Sequence, residues 1–338
     1  MSASAIILGI ESSCDDTAAA VIADGQLLSS VVSTQLEHQA YGGVVPELAS
    51  RAHERDIVPV VESALKKAGV TRNELTAVAV TTGPGLIGSL LVGVSFAKAL
   101  ALGLEIPLIS VNHLEGHLAS LFLEADPPPF PHLSLIVSGG HTQLMRIDGP
   151  SDFKLLGKTR DDAAGEAFDK VGKLLGLSFP GGPQIDARSS DGNSSYHQFP
   201  RTRLQGFDFS FSGIKTAVLY YLNSFSEEER AAVLDQHLDD LCASFQEAIV
   251  DMLIAPVKKA LRDNKLRDVG LVGGVSANSR LRERMSDLTD TFGGRTFVPS
   301  LEYCMDNAAM IAMAGYHHYL IGKFSPLTTT ADPSLAIH

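Results

Sequence analysis

Ala5-Ile6-Ile7-Leu8-Gly9-Ile10, then Glu11-Ser12-Ser13-Cys14-Asp15-Asp16, then Thr17 to Ile22, Asp24-Gly25 and Gln26 to Ser33, is the stretch whose reading decides the fold. A short apolar run that ends in a polar turn reads as a buried strand. Asp24-Gly25 between two further strand-like runs is a hairpin signal. The same order returns later: Leu133 to Val137 runs into Ser138-Gly139-Gly140-His141, Thr142 to Ile147 gives a strand, Asp148-Gly149 a turn, and Phe153 to Lys158 a third strand. Two copies of one strand, polar turn, strand, Asp-Gly, strand pattern point to an internal duplication.

Outside these cores each copy alternates helix and strand. The first continues with a helix over about 45–68, a strand over 77–82, an apolar helix within 83–104 that reads as buried, a strand over 107–111 and a helix over about 113–123. The second continues with a helix over 161–175, an irregular stretch over 176–205, a long helix over 238–264, a strand over 269–272, a helix from Ser276, a strand over 296–299 and a last helix over 306–321. This predicts an α/β chain of two lobes with mixed sheets. Residues 1–126 form the N-terminal lobe, 132–326 the C-terminal lobe with an insertion at about 176–235, and 327–338 a tail. The Pro-rich run from Asp126 to Pro131 is the linker. In duplicated lobes the polar turns are expected to face each other across a cleft, where ligands preferentially sit.

With 338 residues the chain has room for two cores, and 45% hydrophobic with 20% charged residues fits a globular protein. A net charge of -12 excludes a surface that attracts polyanions all over. A nucleic-acid partner then needs a helper protein or a local patch, for which Lys66 and Lys67, the run Lys258, Lys259, Arg262, Lys265, Arg267, or Arg280, Arg282 and Arg284 are available. Cys14, Cys242 and Cys304 are too few and too scattered for a disulfide framework, and no secretory signal or membrane span is read, so a cytoplasmic chain away from membranes is expected.

Candidate chemistry starts at His113-Leu114-Glu115-Gly116-His117. On a helix the two histidines lie one turn apart on one face, a spacing that suits a shared metal ion. It equally suits a pair of surface histidines. Glu115 points to a different face, unlike the base of the His-Glu-x-x-His proteases. If the last helix is the repeat counterpart of the histidine helix, Asp306 at its start brings a carboxylate from one lobe to two imidazoles of the other. Asp306 also reads as an ordinary N-cap. Ser138-Gly139-Gly140, following Ile136 and Val137, can form an anion-binding nest. Gly273-Gly274 leads to Asn278 at a helix start, and Gly182 and Asp186 can line a base or ribose pocket. Asp169, on the helix after the second polar turn, and Asp15 and Asp16 in the first can position a nucleophile or an Mg2+ ion. The latter two also suit plain turn chemistry.

Glu11-Ser-Ser-Cys-Asp-Asp-Thr17, Tyr41-Gly-Gly-Val-Val-Pro-Glu47, His113-Leu-Glu-Gly-His117, Val137-Ser-Gly-Gly-His-Thr-Gln143 and Asp162-Ala-Ala-Gly-Glu-Ala-Phe-Asp-Lys170 resemble the tRNA adenosine threonylcarbamoyltransferase family, TsaD in bacteria. So do Phe209-Ser-Phe-Ser-Gly213, Gly273-Gly-Val-Ser-Ala-Asn278 and Cys304-Met-Asp-Asn307. The resemblance implies a duplicated two-lobed actin/Hsp70/sugar-kinase-like (ASKHA) fold with an interlobe nucleotide and metal cleft. It implies transfer of the threonylcarbamoyl group of threonylcarbamoyl-AMP to the N6 amine of adenosine 37 in tRNAs that read codons beginning with adenine. It assigns a divalent metal, usually Fe2+ with Zn2+ also discussed, to His113, His117 and Asp306. It assigns an ATP, ADP or AMP-type nucleotide to Ile136, Val137, Ser138, Gly139, Gly140, Asp169, Gly182, Asp186 and Asn278. The implied partners are tRNA, a non-catalytic paralogue (TsaB) and a small ATPase (TsaE). Asp15 and Asp16 are the catalytic candidates. The family commonly has Glu where this chain has Asp16, one methylene shorter. The competing reading is a metallopeptidase, a label the family once carried.

Overall fold

The computed structural model describes residues 4–35, 38, 41 and 43–337; Gly42 of the 41–47 motif and His338 of the tail lie outside the described residues. β1 (Ile6–Glu11), β2 (Asp16–Ala23) and β3 (Gln26–Thr34) form an antiparallel meander. Asp24 and Gly25, at φ 49° and 82°, make its turn, and positive φ at both residues is what a tight right-twisted hairpin requires. Crossovers through α1 (Pro46–Ala68) and α2 (Ile87–Leu104) add β4 (Ala77–Gly83) and β5 (Leu108–Asn112) in parallel, giving the order β3-β2-β1-β4-β5. After α3 (His113–Ala119) the chain repeats itself. β6 (His132–Val137), β7 (Thr142–Gly149) and β8 (Asp152–Lys158) are a second meander, and β9 (Val269–Val272) and β10 (Thr296–Phe297) join in parallel, in the order β10-β9-β6-β7-β8. Read outward from each meander the two connectivities are the same, so the expected duplication is present in the fold.

Between β8 and β9 run α4 (Ala164–Leu174), α5 (Gly181–Ser189), α6 (Ser212–Asn223) and α7 (Glu227–Asn264); α8 (Ser279–Thr291), α9 (Leu301–Cys304) and α10 (Ala308–Leu320) complete the chain. The stretch expected to be irregular over 176–205 therefore holds α5. α7 begins at a capping box in which the Ser226 hydroxyl accepts from the Glu229 N-H and the Glu229 carboxylate accepts from the Ser226 N-H, and a non-helical residue, His237, divides it. The start expected at 238 is that of its second half. Phe168, Phe199, Phe211 and Phe245 pack with Leu133, Leu135 and Val137 of β6 in the core of this part.

The compact units are Met1–Pro127 with Pro299–His338, and Pro128–Val298. The expected boundary, 1–126 against 132–326, is corrected accordingly: the last helix leaves the second repeat and completes the first unit. The reason lies in side-chain size. Alternate residues of the first sheet face opposite ways: Leu8, Ile10, Ala19, Val21, Val78 and Val80 pack under α1 and α2, while Ile7, Ala18, Ala20, Ile22, Ala77 and Ala79 pack under α10. α10 is buried on every side from Ala308 to Gly315, so it has no face to give to water. At Gly9 its backbone approaches so closely that a Cβ would stand 2.5 Å from the Ala312 nitrogen and 2.7 Å from the Ala308 oxygen.

Two further expectations change. α2 is not a buried helix: a third of its residues are buried, and Ile87, Leu91 and Leu102 are exposed. Its length and apolarity meet the requirement for a membrane span, yet Ser89, Leu90, Gly93, Val94, Ala97 and Ala101 are packed against the rest of the unit. The tail is part of the first unit, because Asp332 N donates to Thr82 O at 2.8 Å and Lys98 Nζ to Thr329 O at 2.9 Å.

Candidate metal centre

β5 delivers the chain to α3, and Asn112 caps that helix, its Oδ1 accepting from Leu114 N at 2.9 Å. His113 is the first helical residue and His117 follows one turn later; their ring centroids are 4.8 Å apart and both rings are buried. Gly116 between them meets α10: a Cβ there would stand 2.6 Å from Ile311 Cδ1. That absence of a side chain lets α10 cross close enough to bring the residues before it to the histidines.

Asp306 does not open α10. Asn307 is the cap, its Oδ1 accepting from Met310 N at 2.9 Å while its Nδ2 donates to Met305 O at 2.8 Å. The Asp306 carboxylate is thereby left to the imidazoles, with Oδ1 3.3 Å from His113 Nε2 and 3.3 Å from His117 Nε2. The expectation of an acid reaching across from the other lobe is corrected, since all three residues belong to one unit.

The donor set fits a divalent ion. One ligand atom from each of His113, His117 and Asp306 lies within 4.8 Å of the others, and oxygen to nitrogen separations of 3.3 Å are close to the edge of a tetrahedron of ligands, roughly 3.4 Å for bonds near 2.1 Å. Neither ring nitrogen of His117 has a hydrogen-bond partner among the described residues, although the ring is wholly buried. A buried imidazole left in that condition is costly unless something else takes its lone pair.

Burial opposes ionisation at this cluster, but mutual attraction outweighs it. The Asp306 carboxyl is held well below the ordinary carboxylate range by the two imidazoles, and His113 well above the ordinary imidazole value by Asp306 and Glu11. In metal-free protein the stabilisation from His113 is complete below the ordinary imidazole pKa and is lost as pH rises through the raised one. That from Asp306 is present above the ordinary carboxylate pKa and is lost as pH falls through the depressed one. A metal must displace the Nε2 proton of His113, so apparent Zn2+ affinity is expected to climb with pH beyond about 6.5. Competition with a chromophoric chelator across that range checks it; a flat profile contradicts it.

Glu115 lies off this face as expected. Its Oε1 is 2.5 Å from Nε2 of buried His318 on α10, tying α3 to α10. Glu11 and Ser13 are site neighbours that sequence reasoning did not single out: Glu11 Oε2 and Ser13 Oγ each lie 3.1 Å from His113 Nδ1. Asp15 and Asp16 are half-buried in the first polar turn. Burial, with smaller contributions from Asp306, Asp15 and Glu11 against a hydrogen bond from Thr34, pushes Asp16 up to about 7.

The remaining candidates lie in the second unit. Ile136 and Val137 end β6, and the Ser138-Gly139-Gly140 turn is closed by Ser138 N donating to His141 O at 2.8 Å, with both glycines exposed. Asp169 accepts from Gly181 N at 2.8 Å, at the start of the helix that carries Gly182. Asp186 accepts from Ser279 Oγ at 2.8 Å, and Asn278 caps α8 while its Nδ2 donates to Gln246 Oε1 at 2.7 Å. These bonds join α4, α5, α7 and α8 around one set of turns. A cavity of about 370 Å3 opens beside them, lined by Ser190, Gln246, Ser279 and Arg280 among others.

A sequence profile described as TsaD, tRNA N6-adenosine threonylcarbamoyltransferase, matches residues 26–313. The chain belongs to the TsaD family. A tRNA N6-adenosine threonylcarbamoyltransferase of Salinibacter ruber is 57% identical over 333 residues, covering 98% of this chain and 100% of that one. One of Anaeromyxobacter dehalogenans is 52% identical, covering 97% and 98%. The TsaD chain also shares its fold with HypF of T. kodakarensis (TM-score 0.65, 13% identity, 95% of this chain and 49% of that one). A second neighbour is component A of the (R)-2-hydroxyglutaryl-CoA dehydratase of Acidaminococcus fermentans (TM-score 0.54, 14% identity, 94% and 99%). The TsaD fold is thus the duplicated ASKHA type.

Proposed function

We propose that this chain, a tRNA N6-adenosine threonylcarbamoyltransferase by family, takes the threonylcarbamoyl group from threonylcarbamoyl-AMP and places it on N6 of adenosine 37 in tRNAs reading codons that begin with adenine. The observation that carries the metal dependence is the orphaned, buried His117 ring beside Asp306 and His113. Two histidines and one carboxylate with open positions favour Fe2+, with Zn2+ as the second choice. The bound ion supplies Lewis-acid polarisation of an oxygen on the reacting group.

The protein's own residues do the rest. Asp16, with a pKa near 7, is matched to accept the proton lost by the N6 amine. The new bond joins N6 to the carbamoyl carbon, the carbon-oxygen bond to phosphate breaks, and AMP leaves with its electron pair. Asp15 is the alternative acceptor. Exposed N-H groups of Gly139 and Gly140, in the turn that Ile136, Val137 and Ser138 lead into, would hold phosphate oxygens. Asp169, Gly182, Asp186 and Asn278 would frame the nucleoside, for this co-substrate or an ATP or ADP-type nucleotide. The metallopeptidase reading is not favoured, because Glu115 is bonded to His318 and cannot serve as a metal-side base.

The test combines purified chain, threonylcarbamoyl-AMP and unmodified tRNA, with and without TsaB and TsaE-type partners, with nucleoside mass spectrometry as readout. Threonylcarbamoyladenosine is expected; none under any combination contradicts the reading.

The partner proteins find support in two surfaces. Arg280 is paired with Glu247 and Glu283, and Arg284 with Glu247 and Asp251, so this basic cluster is largely neutralised and tRNA capture by a helper gains weight. The exposed Ile87, Leu91 and Leu102 of α2 offer an apolar face, which we assign to the paralogue in a cytoplasmic complex. Leu91→Glu with Leu102→Glu is expected to weaken paralogue binding by at least about 30-fold in calorimetry while leaving the melting temperature in place. Undiminished binding removes this assignment.

A further inference from the structure

We propose that Glu11 is the positioning residue that fixes His113 as an Nε2 ligand. Its carboxylate ends β1 and is wholly buried. Oε1 accepts from Ser13 N at 2.5 Å, and Oε2 accepts from Thr81 Oγ1 at 2.6 Å on the neighbouring strand β4. The group is therefore held from the turn that follows β1 and from β4 before it meets the imidazole. Oε2 then lies 3.1 Å from His113 Nδ1, while Nε2 on the far side of the ring lies 3.3 Å from Asp306 Oδ1.

A carboxylate is an acceptor only, so the Glu11 contact places a hydrogen on Nδ1. In the neutral ring the lone pair is then on Nε2, the nitrogen that faces Asp306 and His117. Ser13 Oγ, 3.1 Å from the same Nδ1, gives a second acceptor on that side. His117 has no such partner on either nitrogen among the described residues. The two imidazoles are thus unequal: His113 is held at Nδ1 by Glu11 before any ion arrives, whereas His117 meets only Asp306, at Nε2, and has nothing at Nδ1 among the described residues. An unpaired buried carboxylate would be costly, and Ser13 N, Thr81 Oγ1 and His113 Nδ1 together offset that cost.

The assignment rests on the metal reading above, and the experiment separates the two. Zn2+ affinity is measured by chelator competition on the full chain as wild type, Glu11→Gln, Glu11→Leu and His117→Ala. Glu11→Leu fills the volume without accepting a bond and is expected to bind about 10- to 100-fold more weakly. Glu11→Gln keeps one acceptor oxygen, enough for His113 Nδ1 and Thr81 Oγ1 but not also for Ser13 N, and is expected to recover part of that loss. Equal affinity in wild type and Glu11→Leu, or a Gln variant as weak as Leu, overturns the role of Glu11 while leaving the metal site intact. Failure of the wild type to take up Zn2+ removes both. Should Glu11→Leu not fold, 15N imidazole NMR of the Zn2+-loaded wild type decides: a protonated Nδ1 and metal-bound Nε2 on His113 are expected, and the opposite pattern overturns the proposal.

Discussion

The His113→Ala variant is expected to lose metal binding and threonylcarbamoyl transfer together, with transfer falling at least about 10^3-fold. Removing one of three protein ligands forfeits the several kcal/mol of charge stabilisation that a bound ion gives a reacting oxygen, and about 4 kcal/mol corresponds to three powers of ten in rate. A second effect runs beside it, because His113 also satisfies Glu11 Oε2. Leaving a buried acceptor short of a partner costs about 1 to 3 kcal/mol of stability, too little by itself to unfold an ordinary domain. The catalytic loss is therefore expected in protein that retains its circular dichroism. Full transfer activity in folded protein without metal would end the proposal that His113 holds the ion.

The Gly9→Val variant is expected to lose both stability and metal, although no ligand is altered. A Cβ at Gly9 would collide with the backbone of α10 at Ala308 and Ala312, and backbone cannot turn aside as a side-chain tip can. Overpacking of this kind costs about 3 kcal/mol or more, which lowers the melting temperature by roughly 6 to 12 °C for a domain of this size. Relief requires α10 to lift from β1, and Asp306, two residues before that helix, moves with it. Gly139→Ala is the control, since a Cβ there meets nothing within 4 Å. A Gly9→Val protein with wild-type melting and wild-type Zn2+ affinity would contradict the packing account of how Asp306 is placed.

Much of this architecture was legible in the chain because its signals are local. The unbroken apolar runs of β1 and β6 and the Asp24-Gly25 hairpin lie within short windows, although the second hairpin turns at Pro150 and Ser151 rather than at the expected Asp148 and Gly149, which end β7. The destination of α10 was not legible, because a helix apolar all round carries no stripe that names the surface it will cover. The same uniformity hid which side of α2 faces solvent. Asp306 and Asn307 are both good caps by type, and only the coordinates give the cap to Asn307 and free Asp306 for the histidines. The histidine pair declared itself through spacing. Glu11 did not, since a carboxylate at the end of a strand reads as the first residue of a polar turn until its bonds to Ser13, Thr81 and His113 are seen.

The most direct measurement is anomalous diffraction from crystals of the metal-loaded protein, collected on both sides of the iron and zinc absorption edges. A single peak about 2.0 to 2.2 Å from His113 Nε2, His117 Nε2 and a carboxylate oxygen of Asp306 is the expected result. A peak bound elsewhere, with these three side chains uncoordinated, would contradict the account.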